Sequence, residues 1–205
     1  MSVSIFRAQK RDLPEVAHVI ASALVDDEVM AAIVPGERNR QGRLKRLVLS
    51  ELRLGSFPGG VIDVARPAGG GPLLGVAAWE GPGHKASPLA ELREQPRFLS
   101  AIGLRNLRRA RELLAAFEDH RPTHPHWYLA YVAVTPEAQG SGVGTRLLRH
   151  RLAEIDDAGA AAYLEATTPA SRQLYERLGF VEQRALDMTP SGQPVAMLRP
   201  AGEQR

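Results

Sequence analysis

The chain of 205 residues contains no cysteine. That excludes disulfide cross-links, thiolate metal sites and a cysteine nucleophile, and it agrees with a reducing compartment. Aromatic residues are scarce as well, at 5%. The formal net charge of +3 rests on many arginines with few aromatic neighbours, which argues against a dedicated nucleic-acid surface. Long hydrophobic runs are missing: stretches such as "LLGVAAW" (Leu73–Trp79) fall far short of the ~20 residues that a membrane span requires. The N-terminal stretch "MSVSIFRAQKRDLPEV" has no basic segment followed by an apolar one, so a secretory signal is not expected and a cytoplasmic location is. What is present, 44% hydrophobic and 24% charged residues, suits a single globular domain over residues 1–205.

Along the chain, "SIFRA" reads as a short strand. In "DLPEVAHVIASAL", Asp12 is placed to cap a helix, Glu15 follows three residues later and Pro14 suits a first turn, which predicts a helix from about Leu13 to Leu24. Pro35 and Gly36 interrupt the next segment. Leu44, Leu47, Val48 and Leu52 then recur at helical spacing. "GVIDVAR" and "PLLGVAAWE" flank "PAGGG", the pattern of an antiparallel hairpin. From Gly81 to His126 runs a long, mostly helix-forming connection that Pro96 and Gly103 are expected to divide. Leu107, Leu113, Leu114 and Phe117 need burial, so it reads as a helical arm packed on the same domain, over about 84–120. A strand "WYLAYVAV", a helix burying Leu148, Leu152 and Ile155, a strand "AAYLEAT" and a short helix ending at Gly179 follow. "FVEQRAL", a turn at "TPSG" and "PVAMLR" make a final hairpin. This order predicts a mixed α/β sheet with helices on its faces.

The most informative stretch is "VAVTPEAQGSGVGTRLL" (Val132–Leu148), where a strand leads through three glycines into a helix. The first amides of a helix and the positive end of its dipole make an anion site, and glycine lets a phosphate approach the backbone. Three ligand classes compete for it. A P-loop needs lysine and then serine or threonine after the glycines; here Thr145 and Arg146 follow Gly144. A dinucleotide fingerprint is G-x-G-x-x-G directly after an early strand; here the pattern is G-x-G-x-G, late in the chain and behind the loop "TPEAQ". The third class is coenzyme A. The spacing Q-x-x-G-x-G, on Gln139, Gly142 and Gly144, resembles the acyl-CoA signature of the GNAT family of N-acetyltransferases. "LEATTPASRQLYERLGF" (Leu164–Phe180) is similar to that family's second block. The likeness is strong from Trp127 to Phe180, fair from Ile5 to Arg40 and absent from Gly81 to His120.

The resemblance implies the GNAT acyl-CoA N-acyltransferase fold, a mostly antiparallel mixed sheet with splayed central strands, helices on both faces and, here, the inserted helical arm. It implies acetyl-CoA as acyl donor, with no metal. The backbone of Val132, Ala133 and Val134 would pair with the pantetheine arm like an added strand. Gln139, Gly140, Ser141, Gly142, Val143, Gly144 and Thr145 would supply amides to the pyrophosphate, and Arg146 or Arg149 is placed for the 3′-phosphate. The family's asparagine after the later strand is replaced by "TTPAS", which leaves Thr167, Thr168 or Ser171 for the pantetheine; a helix cap is the other use of Ser171.

The implied reaction is direct attack of an amine on the thioester, which needs a base, a donor to the carbonyl and a proton for the thiolate. An N–H near Val132 is the implied carbonyl donor. Tyr175 matches the family's general acid; its other reading is a core residue of a short helix. Where some members carry a strand glutamate, this chain has Tyr128, which leaves Glu80 or Glu165 as base, directly or through water. Asp26, Asp27 and Glu28 lie in the loop that lines the acceptor pocket in this family, with Tyr128 as a further substrate contact, and three carboxylates attract a cationic amine. His120, His124 and His126 lack the spacing of a metal site and are expected to line a pocket or end the arm. The expected partner is a small-molecule or peptide amine, with no nucleic acid or membrane, and the chain as monomer or homodimer. A catalytically silent acyl-CoA-binding module is the alternative from a different class.

Overall fold

The structure, a computed structural model, describes residues 2–186 and 193–202. Strands β1 (Val3–Arg7), β2 (Gly60–Pro67), β3 (Gly75–Glu80), β4 (His126–Val134), β5 (Ala161–Ala166), β6 (Val181–Ala185) and β7 (Val195–Arg199) form one sheet in the order β1-β2-β3-β4-β5-β7-β6. Every neighbouring pair is antiparallel except β4 and β5. The two expected hairpins are both present, although the "TPSG" turn lies outside the described residues.

One face of the sheet is covered by α7 (Val143–Asp157) and α8 (Pro169–Glu176). Leu147, Leu148, Leu152 and Ile155 of α7 are buried there with Trp79, Leu129, Leu164 and Phe180. The opposite face is covered by α1 (Leu13–Ala23) and α3 (Arg40–Leu54), whose Val16, Ile20, Val48 and Leu52 pack on Ile62, Val64, Val76 and Ala78. The short helices α2 (Glu28–Ile33) and α4 (Ser56–Gly59) flank α3. The connection between β3 and β4 forms α5 (Pro88–Ile102) and α6 (Leu107–Asp119), whose Ala101, Ile102, Ala110 and Leu113 share a core with Leu44 and Leu47 of α3. The arm is thus packed on α3, with Leu113 buried and Leu114 and Phe117 partly buried against that core, while Leu107 stays outside it.

Two local expectations are corrected. Asp12 does not cap α1: it lies in a preceding 3-10 turn, Lys10–Asp12, and its carboxylate accepts from the amide of Gln9 at 2.7 Å. Glu15 likewise turns away to accept from Arg66 and from the Leu73 amide, joining α1 to the β2–β3 hairpin. Pro96 does not divide the arm, because α5 runs through it and only Gly103, at φ +79°, ends the helix. The carbonyl that loses its donor belongs to Leu92, which is 67% exposed, so water can satisfy it.

Arg151 is the one basic residue buried on α7. It donates through Nε and Nη2 to both oxygens of Asp63, at 2.8 and 2.6 Å, and so ties α7 to β2. Paired in this way, neither charge is buried without compensation.

Candidate functional site

The site begins where β4 and β5 part. They pair only over His126–Tyr128 with Ala161–Tyr163. From Leu129 to Val134, the β4 edge facing β5 has no strand partner among the described residues, while the other edge pairs with β3 as far as Gly75–Val134. An extended polar chain can add to such an edge as a strand. At the far end of this edge, a 3-10 turn (Pro136–Ala138) leads into Gly140 and Gly142, with φ of +72° and +79°. No atom lies within 4 Å of where a Cβ would stand on either, so both face open space. Gly142 is the N-cap of α7, and the first described amide to return to the helix is that of Arg146, bonded to the Gly142 carbonyl at 3.0 Å. The amides of Val143, Gly144 and Thr145 therefore stand at a helix N-terminus without intrahelical acceptors, a seat that fits a pyrophosphate. Gly144 is needed for another reason: a Cβ there would come within 3.2 Å of Val134 Cγ2, so glycine lets the helix approach β4. Arg146 and Arg149 are both exposed beyond this turn.

A bulge shapes β4 within the gap. Its register against β3 shifts between Ala78 and Trp79, which face Tyr131 and Leu129 and leave Ala130 as the extra residue. In an unbroken strand Tyr128 and Tyr131, three apart, would face opposite sides. Here both face α3 and the arm: Tyr128 lies opposite Glu80, and Tyr131 opposite Ala78, while Leu129 points to the α7 side.

On that face the structure gathers a polar cluster. Tyr128 donates to Glu165 Oε2 at 2.9 Å and lies under the Arg121 guanidinium, 3.6 Å from its ring centre, with Tyr163 stacked beside it. Arg121 also reaches Glu80 Oε2 at 3.5 Å. Tyr131 donates to Glu51 Oε2, one turn before the end of α3. These groups retain some exposure but lie deep among protein atoms; the side chains of Arg121 and Glu80, for example, are 27% and 22% exposed. Burial pushes the Glu51 carboxyl up to about 7, with the Tyr131 hydrogen bond pulling down, Glu80 pushing further up and Arg121 pulling down. Burial also raises Glu80 and Glu165, against the pull of Arg121 on both. The Tyr128 hydroxyl is pushed far up by burial and by Glu165, so it stays a donor. Arg121 is held more firmly charged, because Tyr128, Glu80 and Glu165 outweigh its burial. Of the three carboxyls, only Glu80 reaches the guanidinium within ion-pair distance.

Beyond the end of β5, the α1–α2 loop meets the β5–α8 loop around a cleft of about 450 Å³ lined by Asp26, Asp27, Glu28, Thr167, Thr168 and Arg172. Thr167 donates to Asp27 Oδ2 at 2.8 Å, and Asp27 Oδ1 accepts from the Met30 amide as the cap of α2. Arg172 is paired with Glu182 at 3.0 Å. Thr168 is the N-cap of α8, and Ser171 completes a reciprocal box with it: the Ser171 amide donates to Thr168 Oγ1 at 3.1 Å, and the Ser171 hydroxyl accepts from the Thr168 amide at 3.2 Å. Tyr175 lies on α8, on the opposite face of the sheet from Glu51, 6% exposed and edge-on to Phe180 at 5.9 Å. Burial raises its hydroxyl, which stays protonated at neutral pH. The histidines close the arm: His120 Nδ1 bonds the Ala116 carbonyl, His126 Nδ1 bonds that of His124, and His126 packs edge-on to Tyr163.

Glu80, Tyr128 and Glu165, named from the sequence, thus meet in one cluster, while the acidic loop residues line the cleft at the end of β5. Glu51, Arg121 and Tyr131 complete the cluster and are not evident from the motifs. A signal for Glu51 exists: it falls three and four residues after Val48 and Leu47, on the apolar stripe of α3, where a carboxylate is out of place unless it has a task.

A model of the Acetyltransferase (GNAT) family matches residues 82–180, a span that takes in the arm, where the motifs themselves show no likeness. An uncharacterized N-acetyltransferase of Schizosaccharomyces pombe is 25% identical over 93% of this chain and 79% of its own. The structure of the histone acetyltransferase HPA2 and related acetyltransferase from Corynebacterium glutamicum is 30% identical and superposes with a TM-score of 0.78, covering 100% of this chain and 99% of that one. Arylalkylamine N-acetyltransferase 2 from Aedes aegypti shares the fold, with a TM-score of 0.64 at 14% identity over 98% of this chain and 100% of its own.

Proposed function

The chain belongs to the GNAT family of acetyltransferases, and on that premise we propose that it transfers the acetyl group of acetyl-CoA to a cationic primary amine of a small molecule or peptide, by direct attack. The observation that carries this reading is the unpaired edge of β4 beside the open glycine turn at the start of α7. Val132–Val134 hold the pantetheine amides along that edge, and Gln139–Thr145 hold the pyrophosphate. At the other wall Thr168 and Ser171 bond each other and Thr167 donates to Asp27, so the Thr167 oxygen is left to accept from a pantetheine amide.

The gap joins the two faces of the sheet, and each face supplies one half of the reaction. From the α3 face the amine enters past Asp26, Asp27 and Glu28, whose charges favour an ammonium group. A proton must leave it before nitrogen can attack, and the cluster of Glu51, Glu80 and Glu165 offers carboxylates that titrate above their usual range. A backbone amide near Val132 polarises the acyl carbonyl. From the α8 face Tyr175, neutral at pH 7, gives a proton to the departing sulfur. The C–N bond forms as the C–S bond breaks, and the products are an amide and a free thiol.

The acceptor class is tested with acetyl-CoA and matched amines that differ in charge, following acetylated product by mass spectrometry. Diamines and monoamines without a carboxylate should be acetylated faster than amino acids of the same length. Equal rates, or a preference for the zwitterions, would remove the acidic rim as a selector.

A further inference from the structure

Three carboxyls stand on the acceptor face, and their partners differ. Glu80 has the Arg121 guanidinium at 3.5 Å. Glu165 accepts the Tyr128 hydroxyl at Oε2, and its Oε1 is enclosed without a hydrogen-bond partner. Glu51 has no cation within ion-pair distance among the described residues, keeps some exposure, and holds only the Tyr131 hydroxyl, with neither of its oxygens enclosed and unpaired as Glu165 Oε1 is. Tyr131 immediately precedes Val132, and the Ala130 bulge turns it toward α3. The Tyr131–Glu51 pair therefore sits beside the stretch of β4 that receives the acyl group in the reading above.

We infer that Glu51 is the general base of the reaction and that Tyr131 is a positioning residue that aims it. This assignment rests on the transferase reading. Once the ammonium has released one proton to solvent, an N–H proton of the neutral amine passes to the Glu51 carboxylate as nitrogen bonds the acyl carbon; the C–S electron pair goes to sulfur, which takes a proton from Tyr175. The Glu51 proton then passes to solvent, and Tyr175 is reprotonated from it, so that one amine and one thioester give one amide and one thiol. The charged and titratable groups facing Glu51 are Tyr131 from β4, Glu80 from β3 and Arg121 from the segment before β4. Glu94 of α5 engages α3 separately, at Ser50 and Arg53. Glu80, whose side chain lies against Gly55 one turn after Glu51, raises the affinity of Glu51 for its proton, and Tyr131 lowers it.

The test is the pH profile of kcat/KM for the best acceptor among spermidine, tyramine and a short peptide with a free α-amine. Wild-type protein should show a limb rising with pH through about 7. Glu51→Gln should lose that limb and about 100-fold or more in kcat/KM, with acetyl-CoA affinity unchanged by calorimetry. Glu80→Gln should move the limb to lower pH, and Tyr131→Phe to higher pH. As a readout apart from activity, ¹³C NMR of glutamate-labelled protein should show one carboxyl titrating near 7 that is missing from Glu51→Gln. A Glu51→Gln protein within threefold of wild type with its limb in place, or no such resonance, overturns the assignment and leaves the transferase reading intact. Wild-type protein that binds acetyl-CoA and acetylates none of the three amines overturns both.

Discussion

At the scale of the residue, the two ends of the proposed reaction rest on side chains of different legibility. Tyr175 stands out because "LYERLGF" places it, and the structure adds that it is enclosed beside Phe180 on the face opposite Glu51. Tyr175→Phe should lower turnover about 100-fold while changing acetyl-CoA affinity less than twofold, read by steady-state kinetics and calorimetry; unchanged turnover would reduce Tyr175 to a core residue. Gly142 is equally legible, and its φ of +79° shows why glycine is required. Gly142→Ala should cost about 1 kcal/mol through the left-handed conformation alone and put a methyl group into the phosphate seat, weakening acetyl-CoA binding roughly tenfold in the same calorimetric measurement. Glu51 and Tyr131 were hidden, because their meeting depends on a one-residue bulge that strict strand alternation does not encode. All four tyrosines of this aromatic-poor chain nevertheless lie on β4, β5 and α8 around the gap.

At the scale of the element, helices and hairpins follow from periodicity and turn chemistry, and the misreadings are local and physical. Asp12 has the spacing of a cap but caps the 3-10 turn before it, and Pro96 is tolerated where the orphaned carbonyl faces water. The strand order was not readable, since β7 enters between β5 and β6 through contacts distant in sequence. Nor was the Arg151–Asp63 tie, because an arginine on a helix usually points outward. This pair fixes α7, the helix of the proposed phosphate seat, to β2, next to the edge strand β1. Arg151→Ala leaves Asp63 buried and unpaired and should cost about 3–5 kcal/mol, a fall in Tm of about 10 °C for a chain of this size. Replacing both partners with Met and Leu should recover much of that loss in the same thermal unfolding experiment. A single replacement that leaves Tm in place would show that the pair contributes little.

At the scale of the whole molecule, the carboxyl cluster is a place where the fold bears a cost in stability, as a site used for chemistry would. Glu51 binds its proton more tightly folded than unfolded, so its ionisation opposes folding. The penalty is absent below the ordinary glutamate pKa of 4.5, grows as pH rises toward about 7 and is complete above it. Glu51→Gln should therefore unfold at higher denaturant than wild type at pH 8, by up to roughly 3 kcal/mol by linkage, with the difference vanishing near pH 4; a constant difference would contradict a raised carboxyl. The central claim, that the parted strands and the glycine turn serve acetyl transfer to an amine, is tested most directly by the rate of thiol release from acetyl-CoA with and without amine. Release that rises and saturates with amine concentration, one thiol per acetylated amine, is the predicted result. Release at the same rate with no amine present, or none with any cationic amine offered to acetyl-CoA-bound protein, would contradict it.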